Sequence, residues 1–515
     1  MTWGDNPVSL LPSLLSFFAV FSFVFPFLVP LFPRKFFWVL LAHLLYSSAF
    51  LFFFFLQEPV YQQGISVVFG GWGKGRGVQI LLNELSLDFM IPAVALFAAG
   101  LGFSRSLKKD WKFAFLVDLL FTDLLLLFLA NDLFNVYVTM ELLALLSYLL
   151  IASEKKNRQI WASLKYMIIG AVGFNFYLIG VADVYAATGT LNLQLLQAVD
   201  PAILEKLVFP FTMIILSFLI KSGAFFFSMW LPSSHSEASG MVSALLSGII
   251  VKGGIFFLFR LWPFFQTPVL QGFLTAVGVA SAGFGVFFAL LQKDIKLILA
   301  FHTMSQVGFI LLGGPTDGAL YAMSHALFKS LLFLTASRAA VTFQARHLSR
   351  ISASEKTLSP SVTLPFLIAF LSISGLFFCS GGLYKFNILH HQPTWIFWYL
   401  ELISVGTVVS IGKIAMVFMK KTRWQKPWFP GWSFGFLTFT LVSHGILLLS
   451  TQSPGFAFAL SSVEVFFVGL GLWFLVQRFL GSWFPYRLFR IPLVLNGYLV
   501  VLSGIVGLFF WRSGL

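Results

Sequence analysis

The sequence predicts an all-α polytopic membrane protein of about 14–16 transmembrane helices, with two inverted five-helix repeats and interrupted helices. Three observations predict it. Of the 515 residues, 58% are hydrophobic and only 10% charged, with a mean hydropathy of +0.91. That balance excludes soluble globular and disordered chains. Apolar runs of roughly 18–25 residues, the length a helix needs to cross a bilayer, follow one another along the chain. Five lysines, Lys221, Lys252, Lys329, Lys385 and Lys413, lie inside such runs, as does one carboxylate, Glu141. A lysine at the centre of a bilayer helix costs roughly 2.5–3.5 kcal/mol on insertion scales. Five of them read as a charge-lined path for protons or cations.

In order, the runs are 10–31, 35–56, 79–103, 112–130, 132–152, 163–187, 207–230, 240–262, 267–291, 295–313, 318–341, 360–384, 394–419, 431–451, 458–477 and 491–511. The first has no basic segment or small-residue cleavage site before it, so it reads as a retained helix rather than a signal peptide. Runs 112–130 and 132–152 are parted by little more than Asn131 and Asp132. No connection is long enough to form a soluble domain. Of the 33 Lys and Arg, 23 fall on the side reached by odd-to-even connections and five on the other, Lys74, Arg76, Lys206, Arg260 and Arg512. The remaining five are the embedded lysines. The positive-inside bias then places both termini outside, in the cytoplasmic membrane of a cell. It also accounts for the pI near 9.8 without any nucleic-acid partner.

One cysteine, Cys379, leaves no disulfide framework and no cysteine-ligated iron–sulfur or zinc site. Gly70-Gly71-Trp72-Gly73-Lys74-Gly75-Arg76-Gly77 looks like a phosphate cradle, but by this reading it follows no strand and lies outside. It reads as a turn-rich loop. No cofactor, metal or catalytic site is expected, so the chain runs on an ion gradient or on a partner.

Residues 112–262 and 267–419 each hold five helices, flanked by N-terminal helices in 1–111 and C-terminal helices in 431–515. Five is odd, so consecutive units face opposite ways across the membrane, as in inverted-repeat transporters. Lys221 lies in Ile220-Lys221-Ser222-Gly223-Ala224, and Lys385 follows Ser380-Gly381-Gly382-Leu383-Tyr384. Small, helix-loosening residues beside a lysine in both halves point to a pair of interrupted helices.

Three stretches carry a resemblance. Asp132-Leu133-Phe134-Asn135-Val136-Tyr137-Val138 leads to Glu141 and then Leu145-Leu146-Ser147-Tyr148. Trp230-Leu231-Pro232-Ser233-Ser234-His235-Ser236-Glu237-Ala238 leads to Val242-Ser243-Ala244-Leu245-Leu246-Ser247-Gly248 and Lys252-Gly253-Gly254. Gln292-Lys293-Asp294-Ile295-Lys296 leads to Ala300-Phe301-His302-Thr303-Met304-Ser305-Gln306-Val307-Gly308 and then His325-Ala326-Leu327-Phe328-Lys329. Together they resemble the proton-translocating antiporter-like subunits of complex I, group 4 membrane-bound hydrogenases and Mrp-type Na+/H+ antiporters. Ala187-Thr188-Gly189-Thr190-Leu191-Asn192 looks most like the D subunit of Mrp antiporters and its hydrogenase relatives.

The resemblance implies inverted five-helix repeats and a line of protonatable residues along the membrane midplane. By position, it implies that Glu141 is the glutamate of the first half-channel, Lys221 its broken-helix lysine and Lys252 the connecting lysine. The resemblance likewise implies that Lys385 is the broken-helix lysine of the second half and that His325 links the halves. Two departures stand out. Phe226 and Ser228 replace a proline and a histidine after the first broken helix, and Phe377-Phe378 replaces a Pro-Pro pair at the second. The breaks are then expected at Ser222-Gly223 and Gly381-Gly382, softer than proline kinks.

Burial disfavours a charged lysine and a neighbouring carboxylate favours it, so a buried Glu–Lys pair can hold a proton and pass it on. The competing view is a fixed ion pair tying two helices. Lys329, one turn from His325, and His302 join the expected path, though His302 could equally serve packing. Lys413 reads as an anchor snorkelling to the interface. Asp118 and Asp123 read as helix–helix hydrogen-bonding groups or a proton or cation site, and Glu401 and Glu464 as minor candidates. The leading expectation is a cation/proton antiport subunit of Mrp type, moving H+ alone or H+ against Na+, with other membrane subunits and the lipid bilayer as partners. The alternatives are a proton-pumping membrane-arm subunit of an NADH-quinone oxidoreductase-type complex or hydrogenase, and a scaffold that transports nothing.

Overall fold

The computed structural model describes residues 10–70, 77–106, 110–376, 379–423, 435–444 and 468–469. Expected span 491–511, nearly all of 458–477, Glu464 and Phe377-Phe378 lie outside these. Each of the first thirteen expected spans has a helical counterpart. These are α1 (Leu11–Leu31), α2 (Phe36–Phe55), α3 (Glu84–Ser106), α4 (Trp111–Leu127), α5 (Leu133–Ile151), α6 (Asn157–Thr188), α7 (Val208–Ser222) with α8 (Trp230–Glu237), and α9 (Gly240–Arg260). Then come α10 (Pro268–Leu291), α11 (Ile295–Gly313), α12 (Ala319–Phe343), α13 (Pro360–Ser374) with α14 (Ser380–His390), and α15 (Thr394–Lys421). Among the described residues, ten stretches are long and apolar enough to cross a membrane.

Side-chain caps set many of the starts. Asp110, Asp132, Thr267, Asp294 and Ser359 each precede a helix and accept a hydrogen bond from a first-turn backbone N–H. Asp132 resolves the tight spacing after α4, because its Oδ1 accepts from Asn135 N at 2.7 Å and starts a new helix.

Two features depart from the sequence reading near the N-terminal third. Gln79–Leu82 is not helical but a strand, β2, paired antiparallel with β1 (Ile65–Val68). Apolar content alone does not distinguish it; beside its backbone bonds to β1, Leu129 and Asn131, the strand is tied down by the Gln79 side chain. Its Oε1 accepts from Asn131 Nδ2 at 3.0 Å and Asn192 Nδ2 at 2.5 Å, and its Nε2 donates to Gln194 Oε1 at 2.7 Å. The glycine-rich loop therefore does follow a strand, contrary to expectation. It joins two strands of a hairpin, and a phosphate cradle needs a helix after the loop.

Arg260 and Lys296, counted with the basic charges of the two membrane sides, are buried at 7% and 6% exposure. Arg260 donates to Ala130 O at 2.8 Å, Asn83 Oδ1 at 3.0 Å and Ser86 Oγ at 2.8 Å, binding the hairpin end of α3 to the α4–α5 connection. Charge pattern cannot show this, since a residue at a helix end is buried or exposed according to what folds over it.

The two five-helix series carry matched landmarks. Asp132 bridges Asn192 in antiparallel fashion, and Asp294 bridges His347 in the same way. In each case the cap of the second helix meets the segment after the third. The fourth helix of each series is interrupted in the same manner. Gly223 (φ +70°) and Gly375 (φ +88°) each end a half-helix in the left-handed conformation. Ala224 N donates to Leu219 O and Gly223 N to Ile220 O; Leu376 N donates to Leu371 O and Gly375 N to Ser372 O. Both are Schellman caps, which satisfy carbonyls that the break would orphan. The second break is thus at Gly375, not at Gly381-Gly382, which lie in the first turn of α14. A cap needs positive φ at one residue, and composition does not say which glycine supplies it.

The most enclosed helices lie mid-chain. The apolar window of α9 is 100% buried and that of α11–α12 is 89%, against 33% for α1 and 28% for α2. The embedded ionisable groups lie around this centre.

Candidate functional site

At the first break, Lys221 Nζ donates to Glu141 Oε1 at 3.0 Å. The lysine is 3% exposed and the glutamate 37%. The ammonium also sits 4.4 Å over the Phe174 ring, a cation–π contact. Gly170 on α6 makes room for it: a Cβ there would come 2.6 Å from Tyr148 Oη and 3.5 Å from Lys221 Nζ. Trp230 Nε1 donates to Ile220 O at 3.0 Å and stacks on Tyr166 at 3.9 Å, fixing the linker after the break. Ser228 and Phe226 occupy that linker, Ser228 Oγ 2.8 Å from Met304 Sδ and Phe226 at φ +54°.

The second group centres on Lys252, whose Nζ lies 2.5 Å from both Ser247 O and His325 Nδ1. Leu246–Ile250, just before it, is a π-helical turn within α9, a local widening common at functional sites. The widening coincides with a close crossing. A Cβ at Gly248 would meet Ser330 Oγ of α12 and Leu96 Cδ2 of α3, so any larger residue there requires those side chains to shift. When Lys252 is charged it must donate, so His325 Nδ1 accepts and the ring proton is on Nε2. Moving that one proton across the contact exchanges donor and acceptor. Glu141–Lys221 and Lys252–His325 are separate clusters, parted where Ser222 of α7 meets Gly254 of α9.

Beyond them, His302 Nε2 lies 2.5 Å from Ser410 Oγ, and the charges of Lys329, Lys385 and Lys413 reach its ring. Lys329 is fully buried and one turn from His325 on the same face of α12. Lys385 folds back so that its Cδ would lie 3.2 Å from a Cβ at Gly375, with Nζ 4.7 Å over the Phe309 ring. Lys221 precedes its break and turns to Glu141, whereas Lys385 follows its own break and ends at the glycine cap of α13. Lys329 Nζ, Lys385 Nζ, His325 Nε2 and His302 Nδ1 make no hydrogen bond to protein among the described residues. Buried groups of this kind are ordinarily satisfied by internal water. Lys413 differs: its Nζ donates to Leu290 O at 2.5 Å, capping the last turn of α10.

Residues 130–412 match the family described as NADH:quinone oxidoreductase/Mrp antiporter, TM, which covers more than half of the chain. The chain belongs to that family. The D subunit of the Na(+)/H(+) antiporter of Alkalihalophilus pseudofirmus is 30% identical over 65% of this chain and 71% of its own length. The N subunit of the NADH-quinone oxidoreductase of Desulforudis audaxviator is 30% identical over 59% of this chain and 65% of its own. Among solved structures, a chain of the membrane-bound sulfane sulfur reductase, an archaeal respiratory membrane complex, superposes with a TM-score of 0.76 at 21% identity, covering 88% of this chain and 99% of that one. A chain of the Mrp complex from Dietzia sp. gives 0.69 at 22% identity, covering 92% and 95%. These likenesses establish the fold.

Three residues near the site were under-read in the sequence. His235 is fully buried and stacks on Phe333 at 4.8 Å, within reach of the charges of Lys329, Lys296 and Lys252. Lys296 Nζ donates to Ala238 O at 2.7 Å. Beside it, Arg346 pairs with Glu237 at 3.5 Å and Asp294 at 3.4 Å. Glu401 on α15 is the carboxylate whose charge reaches Lys385. His235 stands within the Trp230-Leu231-Pro232 stretch, so its neighbourhood was visible, but its inward aim was not.

Proposed function

We propose that this family member translocates protons through a buried relay as a cation/proton antiport subunit of Mrp type. The relay runs from Glu141 and Lys221 through Lys252, His325, Lys329 and His302 to Lys385, with residues 112–262 and 267–419 as its two halves. The observation that carries this is the Glu141–Lys221 pair: an ammonium 3% exposed, held at 3.0 Å by a carboxylate at a glycine-capped helix break. A fixed tie between helices needs no break beside it. His235 and Lys296 make a route inward from the Glu237–Arg346–Asp294 cluster, which lies on the side rich in basic connections. That side is the cytoplasmic one, with both termini outside.

Partners follow from Glu141. Phe134, Val138, Leu145 and Leu149 share its face of α5 and are 46–57% exposed. A carboxylate in an apolar stripe at membrane depth is too costly to leave in lipid, so another membrane subunit covers this face.

The test is Glu141→Gln and Lys221→Ala in the assembled complex, with proton flux followed in everted membrane vesicles. Abolished flux is expected; full flux in both variants overturns the relay. Flux driven by Na+ addition in the same vesicles identifies the exchanged ion. A second reading, the membrane arm of a quinone reductase or related respiratory complex, is favoured by the likeness to the quinone oxidoreductase N subunit and the sulfane sulfur reductase chain. Co-purification with iron–sulfur subunits would decide for it.

A further inference from the structure

Away from the central line, α1, α2 and α4 bring together a second set of buried polar groups. His43 Nδ1 lies 2.8 Å from Asp118 Oδ1, and both side chains are 0% exposed. Ser47, one turn from His43, and Ser22 on α1 are buried with hydroxyls that have no hydrogen-bond partner among the described residues. The same holds for His43 Nε2 and Asp118 Oδ2. Thr122, one turn from Asp118, donates to Ser22 O at 3.1 Å and ties α4 to α1, as the His43–Asp118 contact ties α4 to α2. The walls are aromatic: Phe25 of α1 stacks on the His43 ring at 4.6 Å and 2°, Phe121 of α4 meets it edge-on at 5.0 Å, and Phe97 of α3 at 6.3 Å. Asp118 is thus the charged group facing His43 from α4, and α1 and α3 present rings.

We infer that His43 and Asp118 form a second proton-binding site, outside residues 130–412 and independent of the central relay. A tie between helices is served by neutral amides or hydroxyls, which hydrogen-bond without charge. An imidazole–carboxylate pair in hydrocarbon differs, because it stays net neutral only while it holds one proton between its members. Release leaves one negative charge among three aromatic rings, and uptake of a second leaves one positive charge. The free Nε2 and Oδ2 are the atoms through which that proton exchanges. The site also has a mechanical link to the centre. Phe97 stacks on Phe121 at 4.0 Å, and its neighbour Leu96 packs against Gly248, one turn before Lys252. α3 thus touches both the aromatic wall of the His43–Asp118 site and the π-helical turn that precedes Lys252. This link to transport rests on the relay proposed above; proton binding does not.

The experiment therefore reads protonation, not flux. The full chain, labelled with 15N-histidine and placed in lipid nanodiscs, is titrated between about pH 5 and 8, where imidazoles ordinarily change charge. The His43 signal is identified by its loss in His43→Gln. A His43 signal that changes with pH, and whose midpoint moves by about one unit or more in Asp118→Asn, is the expected result; one unit corresponds to a tenfold change in proton affinity. A His43 signal constant across the range, or a midpoint unmoved by Asp118→Asn, overturns the inference. If His43→Gln does not fold, the double variant His43→Asn with Asp118→Asn keeps a neutral hydrogen bond and supplies the reference spectrum. Failure of the Lys221 flux test leaves this readout untouched.

Discussion

Removing one charge from the Glu141–Lys221 pair should cost different amounts depending on which charge goes. At the 3.0 Å separation, Coulomb's law gives about 5.5 kcal/mol for an effective dielectric of 20 and about 1.4 kcal/mol in water. Lys221 sits near the first limit, at 3% exposure, and so does Glu141, whose 37% exposure lies on the apolar face turned to the membrane rather than to water. After screening, a coupling of about 2–3 kcal/mol is expected, well above the roughly 0.3–0.5 kcal/mol scatter of additivity between independent sites. Glu141→Gln strands a buried ammonium, whereas Lys221→Met strands a carboxylate whose ordinary pKa of about 4.3 lies closer to neutral pH than the lysine's value of about 10.4, so shedding its charge by taking up a proton costs less. Glu141→Gln should therefore destabilise more than Lys221→Met, and the double variant should recover most of the difference. The assay is a double-mutant cycle on thermal unfolding of the purified chain in detergent, with proton flux in vesicles measured on the same four proteins. Additive single effects, or Lys221→Met proving the worse, would refute the reasoning.

Three further outcomes follow from particular contacts. Gly375→Ala forces a β-carbon into the left-handed region at about 1–2 kcal/mol, while Gly375→Asn, which tolerates that conformation, costs less; thermal melts of the two variants rank them, and equal melts would remove the cap as the cause of the break. Lys413→Met loses its bond to Leu290 O, lowering stability by about 1.5 kcal/mol, yet leaves proton flux intact, because the lysine caps a helix rather than relaying; lost flux in a folded variant would move it into the path. Arg260→Lys cannot reproduce the fork that binds Ala130 O, Asn83 and Ser86, and should cost about 1.5–3 kcal/mol by denaturant or thermal unfolding; a change below about 0.5 kcal/mol would show the clasp to be idle.

The fold was largely legible because apolar run length is a local property. In a bilayer every backbone group must be satisfied within its own helix, so twenty apolar residues in a row leave little choice, and thirteen expected spans have helical counterparts. Strand Gln79–Leu82 escaped because it is apolar like the helix it precedes, and the groups that tie down its Gln79 side chain, Asn131, Asn192 and Gln194, lie far along the chain. The lysines and Glu141 were legible for a related reason: a charge inside such a run is conspicuous wherever it points.

By itself, then, the sequence determined a multi-pass membrane protein, its antiporter-like family and the embedded charges from which a path is proposed. Which of those charges meet was decided only by tertiary structure. Packing brought Glu141 to Lys221 and His325 to Lys252, turned Lys413 to a helix end, and moved the second break from Gly381-Gly382 to Gly375. It also turned His235 inward and assembled His43 with Asp118 from helices 75 residues apart. The physical reason is that burying a charge is costly everywhere in the membrane, whereas its partner is chosen by which helices cross, and crossings are set by glycines, caps and ring packing between distant segments.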